Sequence, residues 1–174
     1  MKPLLDTEEL KELGRPIGDV RENKLTAYMN EVEQTLVKPA LGDALFLALH
    51  NEDIEPESDY DVLLNGGEWE GAACGCASDG VHFFAGLKTA ISYFVYAKLL
   101  MTGDIESTRY GFVQKEGAYS QAISQQQRVA AYNDAMEVGN AHLRDCVTYC
   151  KAHGMLGTRS RGASVAGMTI RKIG

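Results

Sequence analysis

Three side chains able to bind a metal fall on one face of a single predicted helix. His142, Cys146 and Cys150 are spaced four residues apart, as neighbours on a helix surface are, and Cys74 and Cys76 add two further thiols. Imidazole and thiolate are ligands that zinc accepts. Structural zinc sites more often use Cys-x2-Cys pairs, however, and free cysteine is a common core residue. Burial in a core is therefore the favoured interpretation, and a zinc-dependent enzyme is the less favoured alternative.

Other reactive residue types form no motif. The four histidines never adjoin a serine or cysteine in a nucleophile motif, and the glycines form neither a phosphate-binding loop nor a dinucleotide-binding turn. The acidic stretch at residues 52–61 lacks the ligand spacing, central glycine and final glutamate of a calcium-binding EF-hand loop. The sequence therefore predicts no catalytic residue, no cofactor and no metal, and we expect the protein not to be an enzyme.

Charge is distributed unevenly along the chain. The net charge of −7 argues against a large basic face for nucleic acid. Residues 1–154 hold all 24 acidic residues against 13 basic ones, whereas residues 155–174 hold basic residues only. Those basic residues are Arg159, Arg161, Arg171 and Lys172. Because the segment around them is rich in glycine and serine, it is predicted to be a flexible tail that binds a partner.

Length and hydropathy bound the remaining organisation. The 174 residues suit one domain, placed at residues 1–154 and followed by the tail at 155–174. No apolar run reaches the length of a membrane span, and the N-terminus lacks the apolar stretch of a signal peptide. Four cysteines are too few for the disulfide framework of a small secreted domain. We therefore expect a cytosolic protein with reduced thiols and no membrane contact.

Periodicity predicts a mainly α fold, a helical bundle with a small β-hairpin and an extended edge segment. One helix presents Leu25, Tyr28, Met29, Val32 and Leu36 on a single face. Proline cannot continue the helical hydrogen-bond ladder, so this helix should kink or stop at residues 37–38, just before the proline at position 39.

The middle of the chain carries the most apolar helix and both extended segments. The helix is predicted over residues 85–101, with apolar residues on most of its circumference. An Asp79-Gly80 pair between two β-compatible runs predicts a hairpin over residues 69–84. Looser alternation over residues 105–115 predicts an extended edge.

The longest predicted helix runs from Ser124 to Lys151 and is capped by Gly154. Steps of three and four residues mark a helix-packing seam along it. The seam consists of Val129, Tyr132, Met136, Gly139, Leu143, Cys146 and Cys150. Because glycine costs a helix about 1 kcal/mol relative to alanine, Gly139 is predicted to mark close approach of another backbone.

Several dispersed stretches together resemble one family. They are MNEVEQTLVKPALGDALF, YDVLLNGGEWE, HFFAGLKTAISYFVYAKLL, TGDIESTRYGFVQKEGAYS and NDAMEVGNAHLRDCVTY. In this order they resemble the head–tail connector (adaptor) proteins of tailed bacteriophages and prophages, especially those of Bacteroidales phages. The basic tail matches no particular segment of that family.

The resemblance implies a structural virion protein at the head–tail interface, present in the bacterial cytoplasm when expressed from a prophage. Its implied partners are further copies of itself in a ring, commonly a dodecamer, together with the portal protein, a tail or stopper protein, and transiting DNA bound without sequence specificity. A nucleic-acid-binding regulator is the main alternative. It would use the basic tail and Arg109, with an affinity for DNA that falls steeply with salt.

Overall fold

A computed structural model describes residues 3–13, 17, 20–51, 54–71, 80–102, 105–108, 111–114 and 124–156. The helices are α1 (Thr7–Glu12), α2 (Glu22–Val32), α3 (Lys38–Leu41), α4 (Asp43–Leu49), α5 (Asp59–Asn65), α6 (Leu87–Thr102) and α7 (Gln125–Ala152), with a π-helical turn at Glu33–Val37 between α2 and α3. The strands are β1 (Gly67–Gly71), β2 (Gly80–Phe84), β3 (Ile105–Thr108) and β4 (Gly111–Gln114). The predicted class is confirmed: the protein is mainly helical, with a long C-terminal helix and a small antiparallel hairpin.

Side-chain caps fix the ends of the first and last helices. Asp6 accepts hydrogen bonds from the backbone N–H groups of Glu8 and Glu9, and the Glu9 carboxylate accepts one from the Asp6 N–H in return. Ser124 and Gln127 form the same reciprocal pair before α7. These caps satisfy N–H groups that a helix start otherwise leaves without partners.

The helix that begins as α2 does not stop before Pro39. Helical backbone continues to Leu41, and Gly42 ends it with a φ of 85°. A π turn takes up the irregularity: in it, the Lys38 N–H donates to the carbonyl of Glu33, five residues back. Because this turn is wider than an α turn, it accommodates a proline ring that would otherwise clash with a carbonyl of the preceding turn.

A buried carboxylate joins this π turn to two other segments. Glu33 is 1% exposed. One of its oxygens accepts a hydrogen bond from the Leu4 N–H at 2.7 Å, and the other lies 3.1 Å from Nε2 of His50. Nδ1 of His50 lies 2.8 Å from the Phe46 carbonyl oxygen, which can only accept, so Nδ1 carries a proton. The contact between Nε2 and the carboxyl then needs one shared proton, and burial raises the pKa of Glu33.

The sequence predicts the first of two hairpins, but where the second one lies it predicts only an extended segment. β1 pairs with β2 in a register that sets Trp69 against His82 and Gly71 against Gly80. Gly80 therefore belongs to a strand, and the Asp79-Gly80 pair is not the centre of a tight turn; the connecting residues 72–79 lie outside the described chain. The segment predicted to be extended at residues 105–115 folds back on itself, because β3 pairs with β4.

The core centres on the antiparallel pair of α6 and α7. Along α6, most of the circumference is buried, including Leu87, Ala90, Ile91, Phe94 and Val95 at 0% exposure. The helices α2 and α5 also pack against α6, and α3 packs against α7. This arrangement explains why the sequence of α6 is apolar nearly all round.

Gly139 lies where α7 crosses a buried aromatic ring of α6. A Cβ atom added at Gly139 would sit 2.8 Å from Cε1 of Phe94, and its three nearest neighbours are all atoms of that ring. The prediction that Gly139 faces another backbone is therefore wrong. The Phe94 ring fills the gap between α6 and α7, and it occupies space that a Cβ atom at position 139 would need.

Replacing Gly139 by alanine is expected to lower the free energy of unfolding by about 1 kcal/mol. Alanine improves helix propensity by about 1 kcal/mol. The new methyl group, however, overpacks against the Phe94 ring, which costs about 1–3 kcal/mol. Chemical denaturation measures the difference.

Two variants control this measurement. Ala130→Gly, at an exposed position of α7, measures the propensity contribution in reverse. The double variant Phe94→Leu with Gly139→Ala should lose less unfolding free energy than the two single variants lose in sum. Leucine leaves empty the ring positions that the new methyl group would meet. Stabilisation by Gly139→Ala alone would show that the clash is absent.

Candidate functional site

The inner face of the β1–β2 hairpin packs on the last turns of α7 through aromatic rings. Trp69 and Phe84 are 8% and 3% exposed. Phe84 stacks on Tyr149 with ring centroids 4.8 Å apart, and Trp69 meets the same ring edge-on at 5.8 Å. Because aromatic pairs in these geometries attract beyond simple burial, Tyr149 holds both strands against the helix.

Hydrogen bonds fix the orientation of this aromatic cluster. The Tyr149 hydroxyl donates to a carboxylate oxygen of Asp59 at 3.2 Å, and Nδ1 of His153 lies 3.2 Å from the same oxygen. Burial, and then the nearby Asp59 charge, raise the pKa of Tyr149, so the hydroxyl keeps its proton and remains a donor. On β2, Nε2 of His82 donates to the Gly71 carbonyl at 2.9 Å. Polar contacts thus join α7 to α5 and bind the two strands of the hairpin to each other, while aromatic contacts join the hairpin to α7.

The opposite face of the hairpin carries two apolar and two acidic side chains, and the described residues leave it exposed. We call it the outer hairpin face; it comprises Glu68, Glu70, Val81 and Phe83. Phe83 is 74% exposed and Val81 is 65% exposed. The strand register places Glu68 beside Phe83 and Glu70 beside Val81. Exposed aromatic side chains beside polar ones are characteristic of surfaces that bind another protein.

A second apolar surface lies along the α6–α7 pair. It is a groove of about 500 Å³, which we call the apolar groove. Its apolar lining comprises Val32, Leu36, Phe94, Met101, Tyr132 and Met136. Thr35 and Lys98 also line it, and Lys98 forms an ion pair with Glu31. Apolar concavities of this size accept a large side chain.

The two surfaces lie toward opposite ends of one rigid helix. β2 ends at Phe84, three residues before α6 begins, whereas Met101 and Thr102 at the end of α6 line the groove. A helix of 16 residues spans about 24 Å. Because α6 is buried along most of its length, the separation between the two surfaces is fixed.

Comparison with known proteins gives one family. A family model described as a family of unknown function (DUF6712) matches residues 37–154, about two thirds of the chain. The chain belongs to the DUF6712 family. No curated protein and no solved structure matches it significantly. The DUF6712 match begins at the end of the π turn and ends at Gly154, so it includes the hairpin and all of α6 and α7.

The predicted seam of this DUF6712 protein is buried at one end only. Gly139, Leu143, Cys146 and Cys150 are buried, together with Ala135 and Tyr149, which the seam pattern left out. The remaining three residues, Val129, Tyr132 and Met136, lie nearer the helix start. Tyr132 and Met136 are half-buried and line the groove.

Val129 was predicted to belong to the packing seam, and that prediction is wrong. It is 38% exposed, so it is not a packing residue within the described chain. The antiparallel register explains this position. Gly139 meets Phe94 and Tyr132 lies near Met101, so Val129, one turn earlier, falls beyond the last residue of α6. The seam pattern extends further along α7 than the helix it packs against.

The cysteines of α7 are poor metal ligands. Cys146 and Cys150 are both 0% exposed, and burial raises the pKa of Cys150 to about 12 and that of Cys146 as well. Zinc binds thiolate, and without a bound cation these buried thiols keep their protons near neutral pH. His142 lies beside the Tyr93 ring, at 5.6 Å between centroids. Among the described residues, no group of three or more histidine, cysteine or acidic side chains is placed to hold a metal.

Several sequence predictions concern residues outside the described chain. Cys74 and Cys76 belong to residues 72–79, and Arg109 lies between β3 and β4. All four basic tail residues lie beyond residue 156: Arg159, Arg161, Arg171 and Lys172. Their proposed role in binding a partner stays a prediction. Within the described helices, none is both long and apolar enough to cross a membrane.

Proposed function

We propose that this DUF6712 protein is a head–tail connector (adaptor) subunit of a tailed bacteriophage or prophage. In this role it is a structural protein, not an enzyme, that assembles as a ring between the portal and the tail and extends the DNA channel. The observation that carries the proposal is the exposed outer hairpin face, held on a rigid helical body. Such a surface is unfavourable in water and favours a protein whose activity is assembly.

The charge of the helical body supports the same role. Residues 1–154 carry 24 acidic residues against 13 basic ones. A channel wall with excess negative charge does not hold DNA phosphates, so DNA passes without binding tightly. Acidic helical bodies occur in many protein classes, so we infer the connector role from the sequence resemblance and not from charge alone.

The proposal names specific partners. They are other copies of the chain in a ring, commonly a dodecamer, then the portal protein on one side and a tail or stopper protein on the other. DNA is a transient partner without sequence specificity. The protein would reside at the head–tail interface of the virion, and in the bacterial cytoplasm before assembly.

Co-expression with the portal protein of the same genome tests the proposal. We expect the two proteins to co-elute from size exclusion in a complex larger than the portal alone, with ring-shaped particles in electron micrographs. Persistent failure to bind the portal and any tail protein would contradict it. Retardation of DNA at low salt, lost steeply as salt rises, without portal binding would favour the regulator instead.

A further inference from the structure

We propose that the outer hairpin face of one copy seats in the apolar groove of the next copy. The inference rests on the proposed ring, because it takes a second copy as the occupant of the groove, and it names the contact that joins neighbouring subunits. Both surfaces are present on every chain, so no further protein is required for the contact.

The two surfaces match in size and polarity. Phe83 at 74% exposure and Val81 at 65% stand side by side on the outer hairpin face as an aromatic and a branched aliphatic side chain. A groove of about 500 Å³ lined by Phe94, Tyr132 and Met136 accepts a phenylalanine ring. Methionine adapts its shape and attracts aromatic rings through its sulfur, which favours an aromatic guest. Burial of Phe83 removes the largest exposed apolar side chain of the hairpin from water.

The charges around the two surfaces are complementary. Glu68 and Glu70 give the outer hairpin face two negative charges beside its apolar side chains. At the groove, Lys98 belongs to the lining, and the Lys24 ammonium donates to the carbonyl of Thr102 in that lining.

Two more charges belong to the groove surroundings. Arg128 lies one helical turn before Tyr132, and Glu31 pairs with Lys98. Basic side chains therefore border the apolar groove, whereas acidic side chains flank the apolar ones of the outer hairpin face. Complementary charge of this kind orients a partner and excludes like-charged surfaces.

The contact is heterologous, as the contact between neighbouring subunits of a ring must be. The outer hairpin face lies toward the beginning of α6 and the apolar groove toward its end, so the contact joins different surfaces of successive copies. Repetition of a heterologous contact builds a ring when its rotation closes, and an open filament when it does not. Because α6 fixes the spacing of the two surfaces, each copy adds the same rotation.

Photo-crosslinking tests the contact directly. p-Benzoylphenylalanine replaces Phe83, and isotopically labelled and unlabelled chains are mixed before assembly with or without the portal protein. After irradiation, mass spectrometry identifies cross-linked peptides that join a labelled chain to an unlabelled one. We expect these peptides to contain residues 94–102 or 128–136. Inter-chain cross-links to other regions, or cross-links to the portal in place of the groove, would overturn the inference.

Substitutions on both surfaces provide a second test. Phe83→Glu places a charge on the outer hairpin face. Thr35→Trp fills the apolar groove from an exposed position of its lining. Each should raise the concentration needed for ring assembly at least about tenfold, equivalent to about 1.4 kcal/mol. Leu47→Glu, at a side chain 59% exposed on α4 and outside both surfaces, is the matched control and should leave assembly unchanged.

The outcomes separate this inference from the proposed function. Rings that form on the portal with normal affinity in both Phe83→Glu and Thr35→Trp would overturn the hairpin–groove contact and leave the connector function standing. No assembly of the unmodified protein, alone or with the portal and tail proteins, would overturn both. Thermal unfolding of each variant checks that a lost assembly does not reflect a lost fold.

Discussion

Replacing Glu33 by alanine is expected to lower the free energy of unfolding by about 3–5 kcal/mol, the range found when one partner of a buried charged pair is removed. Alanine leaves the Leu4 N–H without its acceptor and Nε2 of His50 without its partner, and it opens a cavity in the core. Denaturant unfolding, followed by the emission of the single tryptophan, measures the loss. A change below about 1 kcal/mol would show that the pair does not hold the N-terminal segment.

Glu33→Gln is the matched control. The glutamine amide can donate to Nε2 of His50 while its carbonyl accepts the Leu4 N–H, so the shared proton is no longer needed. We expect this variant to stay within about 1.5 kcal/mol of the unmodified protein near neutral pH, because both hydrogen bonds survive. A loss as large as that of Glu33→Ala would show that the negative charge, and not the hydrogen bonding, is what matters.

The same pair predicts how stability depends on pH. Burial raises the pKa of Glu33, so the folded chain holds this proton more tightly than the unfolded chain does. The contribution to stability is therefore complete below the ordinary pKa of glutamate and is lost as the pH rises through the raised pKa. The free energy of unfolding of the unmodified protein relative to Glu33→Gln should fall as the pH rises above the ordinary pKa of glutamate, about 4.3. A difference that stays constant as the pH rises would contradict the shared proton.

Replacing Tyr149 by alanine should cost about 3–5 kcal/mol and also loosen the β1–β2 hairpin. The ring is 1% exposed, stacks on Phe84 and meets Trp69 edge-on, so its loss removes the hairpin's main support on α7. Trp69 is the only tryptophan, so the emission of the folded variant reports on the surroundings of this side chain, where β1 meets α7. We expect that emission to move to longer wavelength and to become more accessible to a soluble quencher in the folded variant.

Tyr149→Phe separates the ring from its hydroxyl. Phenylalanine keeps the stacking but removes the hydrogen bond to Asp59, which should cost about 0.5–1.5 kcal/mol. The emission of Trp69 should stay as in the unmodified protein. Unchanged emission and quenching in Tyr149→Ala would instead show that the hairpin is held by other contacts, and the rigid presentation of the outer hairpin face would then be wrong.

Local sequence signals predicted the elements of this fold better than their contacts. The start of the longest helix at Ser124 and its glycine stop at Gly154 depend on a few neighbouring residues and agree with the structure. The π turn was not predicted, because it depends on how the chain before Pro39 packs, and no local pattern encodes it. The sequence predicted a close contact at Gly139. It did not predict the contacting group, the Phe94 ring, because α6 is distant in sequence.

Glu33 and the outer hairpin face mark what sequence reasoning missed. Glu33 lies four residues after Met29, inside the apolar face of its helix, and a charged residue at such a position was a signal for a buried pair. Its partners Leu4 and His50 are distant in sequence, so they could not be identified. Phe83 and Val81 alternate with His82 and Phe84, but alternation alone does not tell which face of a hairpin is covered.

The central claim is that this DUF6712 chain functions by assembling with copies of itself at the portal. Native mass spectrometry of the complex with the portal protein of the same genome tests it most directly, because it counts subunits of 19.0 kDa on the portal. We expect a closed ring with a fixed number of copies, commonly twelve for proteins of the resembled class. A portal that carries no copies, or a variable number without ring symmetry, would contradict the account.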